Sequence, residues 1–502
     1  MTPPISAQEA RRAARNAGAL AAASILSKGA LFVWQLILAR AIGEAGYGIY
    51  GTVGAFIAVG TAIVNFGMGP IVIRDVARAP QQAGKYLTAT LVMQTALALL
   101  AYGVVNSAAL LGGYGPDIRA LLALAALSLL VDILGNMTND LLLAQERMLA
   151  SSLAAVGHVA LLIALAGLAL LAGYGLAGVY AATLAAGGAR ALVLWGLVLR
   201  GGVRPAWPFD RTIAGPLLRN GAPLAISAFL ALAYQHADKL MTARLIGTAQ
   251  TGHLTAAFVI IFGIIELLNT TVLIATYPMM SRYHAAEQGE TFGFIVEKLA
   301  FFTLLISLPL ALVLSLFAAE ITVPLFGADF RPAAGALRIL VWYAAAAMVV
   351  NVFAQGMVVE NRQRVLLVIR ASGLGLNITL NALLIPRTGI TGAALASLAA
   401  EIVVLSLLIW QFRAAGWHWG RLIPRLLRLM ILSALVAGGM ILLGGALPLA
   451  GIIAGPLLYG LAVLVGRILA PDDWDLLYRL VAAMPGGDLV RRYWQRDVSL
   501  NW

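Results

Sequence analysis

Long runs of apolar residues alternate with short polar segments along almost the whole chain. A membrane-spanning helix needs about twenty apolar residues, because the hydrocarbon core of a bilayer is roughly 30 Å thick. Backbone groups cannot stay unpaired in lipid, so each run of that length predicts a helix. The fourteen predicted spans are 17–39, 48–69, 86–108, 118–141, 151–172, 176–199, 221–243, 254–276, 297–319, 335–358, 364–385, 390–412, 426–446 and 448–467.

Composition supports an all-α polytopic membrane protein. Of the 502 residues, 61% are hydrophobic and 11% are charged, whereas ordinary soluble domains carry roughly 25% charged residues. The net charge of +12 falls in short bursts between apolar runs. That distribution argues against nucleic-acid binding. The chain has no cysteine, which excludes disulfides and thiol chemistry.

Positive charges are concentrated in alternate loops. The basic residues before the first span and in every second loop include Arg11, Arg12, Arg15, Arg74, Arg78, Lys85, Arg200, Arg204, Arg211, Arg219, Arg362, Arg364, Arg413, Arg421 and Arg425. Cytoplasmic loops of membrane proteins carry an excess of Lys and Arg. The pattern predicts a multi-pass protein of the inner (plasma) membrane with both termini in the cytoplasm.

A glycine-rich phrase occurs twice. "LARAIGEAGYGIYG" begins at residue 38 and "TARLIGTAQTGHLTA" at residue 242, with Arg40, Gly43 and Gly48 repeated 204 residues later. The repeat predicts two parallel six-helix bundles, because six crossings return the chain to its starting side. Glycines suit a tight turn and a close helix approach. A phosphate-binding loop would need a preceding strand and a Walker lysine, and the phrase has neither.

The predicted domains follow from this repeat. The first bundle covers 1–205 and the second covers 206–413, with a C-terminal helix pair at 414–470 and an amphipathic cytoplasmic tail or a solvated tail at 471–502. Two such bundles with a cleft between them are the architecture of an alternating-access transporter.

The motifs of the two copies resemble a known family. The first has Arg15-Asn16, the glycine phrase, Asn65-Phe66-Gly67 and Arg74, and the second has "YQHADKLMTARLIG" and "YPMMSRYH". This order is similar to polysaccharide and oligosaccharide flippases of the multidrug/oligosaccharidyl-lipid/polysaccharide exporter superfamily. The resemblance implies alternating-access flipping of a polyprenyl-diphosphate-linked oligosaccharide to the outer leaflet. Implied partners are that substrate, membrane lipids and glycan-assembly proteins.

Three alternatives remain open. A lipid II flippase shares the helix count and fold. A multidrug or metabolite exporter of the same superfamily often has twelve helices. A membrane-embedded glycosyltransferase would usually need a longer outer loop than this chain offers. The sequence carries no zinc-protease, nucleophile-elbow or Walker motif, so we expect a transporter and not an enzyme. We expect no cofactor, and a coupling Na⁺ or H⁺ is one way to drive transport.

Ionisable and amide side chains inside predicted spans are the candidate cavity residues. Such groups usually face water or a partner, because an ionised side chain at mid-bilayer costs roughly 2.5–3.5 kcal/mol on insertion scales. The candidates for substrate binding are Lys28, Gln35, Arg190, Glu266, Asn269, Arg370, Asn377, Asn381 and Glu401.

Each candidate also has a structural interpretation. Lys28 suits a diphosphate or a buried ion pair. The stripe Arg370, Asn377 and Asn381 suits a cavity wall or interhelical hydrogen bonds, and Glu266 suits a coupling cation or a structural contact. We expect Asp238 to pair with another helix. Asp132, His158 and Lys239 complete the intramembrane set.

The last two predicted spans differ from the rest. From Leu429 to Gly466 there is no Asp, Glu, Lys, Arg or His. The pair therefore suits an apolar flank that shelters the polyprenyl chain or a lipid-facing pair that stabilises the bundle.

Overall fold

The computed structural model describes residues 7–263, 289–414, 422–469 and 473–474, and within these ranges the chain is helical with no strand. The helices are α1 (Ala7–Asn65), α2 (Met68–Arg78), α3 (Ala83–Leu111), α4 (Pro116–Ala125), α5 (Ser128–Ala144), α6 (Met148–Leu171), α7 (Gly175–Arg200), α8 (Arg211–Leu245), α9 (248–263), α10 (Gly289–Leu316), α11 (Ala318–Phe326), α12 (Ala333–Val359), α13 (Gln363–Thr388), α14 (Ile390–Ala414), α15 (Leu422–Ala446) and α16 (Pro448–Val465).

Backbone in the left-handed region bends or ends the first helices. Gly43 interrupts α1 with φ 70° and ψ 177°, so the spans predicted at 17–39 and 48–69 meet at this residue. The second span ends at Asn65 and not at 69, because Phe66 and Gly67 have φ values of 42° and 65°. An α-helix cannot continue through such residues. The chain therefore turns and starts the short helix α2.

Twelve described stretches are long and apolar enough to cross a membrane. The first of them is 57 residues long and contains the Gly43 break, so it accommodates two predicted spans. The span predicted at 118–141 is interrupted between α4 and α5. Helix α9 is the described part of the span 254–276, whose remainder lies outside the described residues. The prediction of an all-α polytopic protein is confirmed.

The described residues form two compact units. The first comprises Met1–Ala256 and Asn381–Ile390, and the second comprises Ala257–Leu380 and Thr391–Trp502. These units group residues by packing, whereas the predicted limits at 205 and 413 concern the sequence repeat. The predicted domain limits therefore stay a prediction.

The core of the first unit packs α3, α4, α5 and α7 around small and branched residues. Leu87, Leu122, Leu142 and Leu194 are completely buried there. Between membrane helices such side chains stabilise the bundle by van der Waals packing, because lipid tails are as apolar as leucine. This apolar frame holds the polar side chains that α5 and α7 bring together.

The core of the second unit contains several phenylalanines. Phe353 of α12 and Phe412 of α14 have ring centroids 5.4 Å apart. Helices α15 and α16 pack on α10, where Gly444 and Gly451 leave room for the ring of Phe317. The pair belongs to the packed bundle, and its role in sheltering a polyprenyl chain stays a prediction.

A buried ion pair joins the end of the described chain to this unit. Lys298 of α10 pairs with Asp473, and their side chains are 6% and 0% exposed. Arg425 Nη1 of α15 lies 3.6 Å from the other oxygen of Asp473. The Lys298 ammonium also lies 5.1 Å from the ring centroid of Phe294. Asp473 and Trp474 are the described part of the predicted tail.

The linker between the predicted bundles is attached to the start of α3. The Ala206 amide donates to the Gly84 carbonyl at 3.1 Å, and Lys85 Nζ donates to Asp210 Oδ2 at 3.1 Å. Asp210 caps α8 by accepting from the Thr212 amide at 3.0 Å and from its hydroxyl at 2.6 Å. The Thr212 hydroxyl, followed by Lys85, lowers the pKa of the Asp210 carboxyl.

Candidate transport site

The two copies of the glycine phrase form equivalent turns. Gly43 has φ 70° and Gly247, 204 residues later, has φ 99°. Side chains with a Cβ rarely adopt these values, whereas glycine does so readily. The tight turn that the sequence predicted is confirmed, and each turn leads into a helix that begins with the rest of the phrase.

The helices after these turns contact each other backbone to backbone within the first unit. A Cβ added at Gly48 would overlap the Thr248 carbonyl oxygen, and a Cβ added at Gly252 would overlap the Glu44 carbonyl oxygen. Thr248 and Gly252 lie 204 residues after Glu44 and Gly48. Exchanging the two copies therefore exchanges the two contacts, as a two-fold relation between repeats requires.

We call this contact the glycine crossing and define it by Glu44, Gly48, Gly51 and their repeat equivalents Thr248, Gly252 and Thr255. A Cβ added at Gly51 would lie 3.2 Å from the Thr255 Cβ. Small residues on both helices allow this approach. The predicted close helix approach is thus confirmed, and any larger residue would force the helices apart.

A hydrogen-bonded pair of side chains closes one side of the crossing. His253 Nε2 lies 2.5 Å from Glu44 Oε2, with His253 4% exposed and Glu44 40% exposed. Residue 49, the first-copy equivalent of His253, is an isoleucine. The pair is therefore an addition of the second copy to an otherwise symmetric contact.

Gln35 connects the two halves of α1 across the Gly43 turn. It accepts a hydrogen bond from the Tyr47 hydroxyl at 2.9 Å and donates to the Tyr50 hydroxyl at 3.2 Å. The Tyr50 ring stacks on Tyr47 and on Tyr180 of α7, with centroids 6.0 and 6.1 Å apart. Both polar atoms of this amide are thus engaged by tyrosines, which supports a structural role for Gln35.

Arg190 of α7 faces a polar stripe on α5. Its Nη1 donates to Asn136 Oδ1 at 3.2 Å, and Asp132 and Asp140 both lie within electrostatic range of the guanidinium. These α5 residues recur at every fourth position, so they share one face of the helix. The structure therefore gives this candidate residue a set of partners inside the first unit.

Asp238 and Asn381 form a buried hydrogen bond between α8 and α13. Asn381 Nδ2 donates to Asp238 Oδ1 at 2.5 Å. Asp238 is 2% exposed, and the adjacent Lys239 is 7% exposed. The prediction that Asp238 pairs with another helix is confirmed, and the contact favours interhelical hydrogen bonding for Asn381.

The remaining described candidates lie on three helices, α1, α13 and α14. Lys28 is exposed on α1, Arg370 is half-buried on α13, and Asn377 and Glu401 are 1% and 4% exposed. Glu266 and Asn269 lie outside the described residues. A role in substrate binding stays a prediction for all nine candidates.

Sequence reasoning missed the most connected polar groups. Glu44 and His253 are 209 residues apart, and Lys298 and Asp473 are 175 apart, so no local spacing joins them. Asp140 could have been found, because it lies eight residues after Asp132 on the same helical face. In the described part of the chain, no group of three or more His, Cys, Asp or Glu is placed to hold a metal ion.

Sequence comparison identifies one family. The polysaccharide biosynthesis protein family matches residues 37–335, a range that contains both copies of the glycine phrase. No curated protein matches the chain in sequence.

Solved structures share the fold at low sequence identity. The lipid II flippase MurJ in an inward closed conformation matches with a TM-score of 0.69 and 12% identity, over 89% of this chain and 98% of that one. An inward-facing multidrug resistance MATE transporter of the MOP superfamily matches with a TM-score of 0.62 and 16% identity, over 77% of this chain and 95% of that one. A MOP superfamily transporter from Pyrococcus furiosus matches with a TM-score of 0.55 and 18% identity, over 79% of this chain and 96% of that one. These likenesses concern the fold.

Proposed function

We propose that this chain, which belongs to the polysaccharide biosynthesis protein family, flips a polyprenyl-diphosphate-linked oligosaccharide from the cytoplasmic to the outer leaflet. The observation that carries the proposal is the glycine crossing. It is built from both copies of a repeat, and it brings two helices together at backbone distance. A contact that is symmetric between repeats is suited to opening and closing as the repeats rock.

The crossing lies after the first turn of each copy, on the side opposite the basic loops. If those loops face the cytoplasm, the crossing closes the outer side, and both termini lie on the cytoplasmic side of the plasma membrane. We propose that the substrate head group enters from the cytoplasm, where Lys28 meets its diphosphate by a charge-assisted hydrogen bond. The polyprenyl chain stays in the lipid, and the crossing opens to release the head group outside. Glycan-assembly proteins would then receive it.

Lipid II transport is the second candidate. The fold shared with a lipid II flippase over 89% of this chain supports it. Both substrates carry a polyprenyl diphosphate, so the head group alone separates the two proposals. The family match supports a polysaccharide precursor.

A reconstituted flipping assay tests the proposal. We expect liposomes containing the purified protein to expose a fluorescently labelled, polyprenyl-diphosphate-linked oligosaccharide to a membrane-impermeant quencher faster than empty liposomes do. Parallel samples carry labelled lipid II or a cationic dye, and the chemistry of the head group predicts slower movement of both. If lipid II moves rapidly while the lipid-linked oligosaccharide does not move, lipid II transport replaces the proposed function. Dye transport alone would reject lipid flipping altogether.

A further inference from the structure

We propose that Asp132, Asp140 and Arg190 form a proton-binding site in the first unit and that its occupancy couples flipping to a proton gradient. The coupling rests on the proposed function, whereas proton binding itself does not. The site lies in α5 and α7, away from the glycine crossing in α1 and α9.

The geometry places the Arg190 guanidinium beside Asn136, which lies between the two carboxylates along α5. Asp132, Asn136 and Asp140 succeed one another by about one turn along α5. Arg190 Nη1 bonds to the middle residue, Asn136. The two helices lie close together here, since a Cβ added at Gly135 would lie at an ordinary contact distance of 3.5 Å from the same nitrogen. The guanidinium is thus positioned between two acids that lie one turn to either side.

Glycines also bring the neighbouring helices close to each acid. A Cβ at Gly187 of α7 would lie 3.5 Å from Asp132 Oδ1, and a Cβ at Gly69 of α2 would lie 2.8 Å from Asp140 Oδ2. Both carboxylates are half-buried in candidate membrane spans. Each charge is therefore partly withdrawn from water, which raises the cost of leaving it uncompensated.

The charge balance of the site requires one more positive charge. Two ionised carboxylates and one guanidinium leave a net charge of −1 inside a candidate membrane span, where uncompensated charge is costly. One bound proton makes the set neutral, with Arg190 facing one carboxylate while the other is a neutral acid. A proton suits this site better than a metal, because no group of three or more His, Cys, Asp or Glu in the described ranges could hold one.

Other titratable groups lie on the helices around the site. Arg190 acts on both carboxylates, and His158 of α6 acts on Asp132. His158 Nδ1 is buried and has no hydrogen-bond partner among the described residues. The other helices that pack against α5 carry charged side chains at Lys28, Arg40 and Glu44 in the part of α1 from residue 22, at Arg74, Asp75 and Arg78 of α2, at Lys85 of α3 and at Arg200 of α7. Of these, Glu44 pairs with His253, Arg74 with Asp75, and Lys85 with Asp210.

The position of the proton decides which acid Arg190 attracts. With the proton on Asp132 the guanidinium pairs with Asp140, and with the proton on Asp140 it pairs with Asp132. The two pairings differ by about two helical turns along α5. A guanidinium moving between them pulls α7 along α5, and such discrete shifts between packed helices are how local binding is amplified.

Infrared titration of the purified protein in lipid nanodiscs tests proton binding without any substrate. We expect a carbonyl band of a protonated carboxylic acid that disappears as the pH rises. Asp132→Asn and Asp140→Asn should each remove this band, because each variant leaves one acid and one guanidinium, which are neutral without a proton. Asp117→Asn, at an exposed acid at the start of α4, should leave it unchanged. A wild-type protein without the band, or a band kept in both site variants, overturns the proposal.

Flipping under an imposed pH gradient tests the coupling. With one proton per cycle, one pH unit changes the driving force by about 1.4 kcal/mol, or about tenfold in the final transbilayer ratio. We expect this shift in the wild type and in Asp117→Asn, and its loss in Asp132→Asn and Asp140→Asn. An unresponsive wild type, or responsive site variants, would refute coupling. If no lipid-linked glycan moves at all, the proposed function fails, and the infrared result alone decides the proton site.

Discussion

Replacing Gly48 with leucine is expected to slow flipping about a hundredfold. A Cβ at this position overlaps a backbone oxygen, which cannot rotate away as a side chain can. Overpacking of this kind costs about 3 kcal/mol at the upper end of its usual range, which is roughly a hundredfold in the population of the closed crossing. The cycle would stall because the outer side cannot close. Gly252→Leu should give the same loss, since the repeat makes the two contacts equivalent. The initial rate of the quenching assay measures both.

Gly54→Leu is the matched control. Gly54 lies in the same half of α1, but a Cβ there meets no atom within 4 Å. We expect a flipping rate and a melting temperature close to those of the wild type. Wild-type flipping by Gly48→Leu, or an equal loss in Gly54→Leu, would show that the crossing has no special role.

Removing Asp473 is expected to destabilise the second unit by about 3–5 kcal/mol, the usual cost of leaving one member of a buried ion pair uncompensated. In Asp473→Ala, Lys298 keeps its charge while 6% exposed, and Arg425 loses the same partner. Lys298→Met should cost less, because Arg425 still faces Asp473. Thermal denaturation of the purified variants measures the order of their stabilities, with Asp473→Ala expected to melt at the lower temperature.

Replacing both members gives a sharper comparison. Lys298→Met combined with Asp473→Leu removes the buried charges together, and a buried ion pair exchanged for apolar residues is often nearly neutral. We expect the double variant to melt above Asp473→Ala. If the double variant is the least stable of the three, packing and not charge holds the chain end in place.

The fold was largely predictable because the length of each hydrophobic span and the repeated phrase can both be seen directly in the sequence. Gly43 and Gly247 show this most clearly, since a repeated glycine at a predicted turn has a direct backbone meaning. The break at Phe66 was not predictable, because a bulky residue with φ 42° is held there by packing that no sequence pattern expresses. The span 118–141 likewise reads as one apolar run, although α4 and α5 divide it.

The candidate site was only partly predictable. Intramembrane position correctly marked Arg190 and Asp238 as residues that need partners. It could not name Asn136 or Asn381 as those partners, because such contacts depend on how distant helices pack. Both polar atoms of the Gln35 amide are engaged by Tyr47 and Tyr50, and its predicted role in substrate binding stays a prediction. Polarity within a span predicts that a partner exists, not whether the partner is protein or substrate.

A disulfide across the glycine crossing tests most directly whether this contact must open during transport. The chain has no cysteine, so Gly51→Cys combined with Thr255→Cys introduces a single possible disulfide. A Cβ added at residue 51 would lie 3.2 Å from the Cβ of residue 255, which is near the Cβ–Cβ separation of about 3.5–4.5 Å found in disulfides. We predict that oxidation stops flipping in the double variant and that reductant restores it. Neither treatment should change the flipping rate of either single variant. A fully cross-linked protein that flips lipid-linked oligosaccharide as fast as its reduced form would contradict alternating access through this crossing.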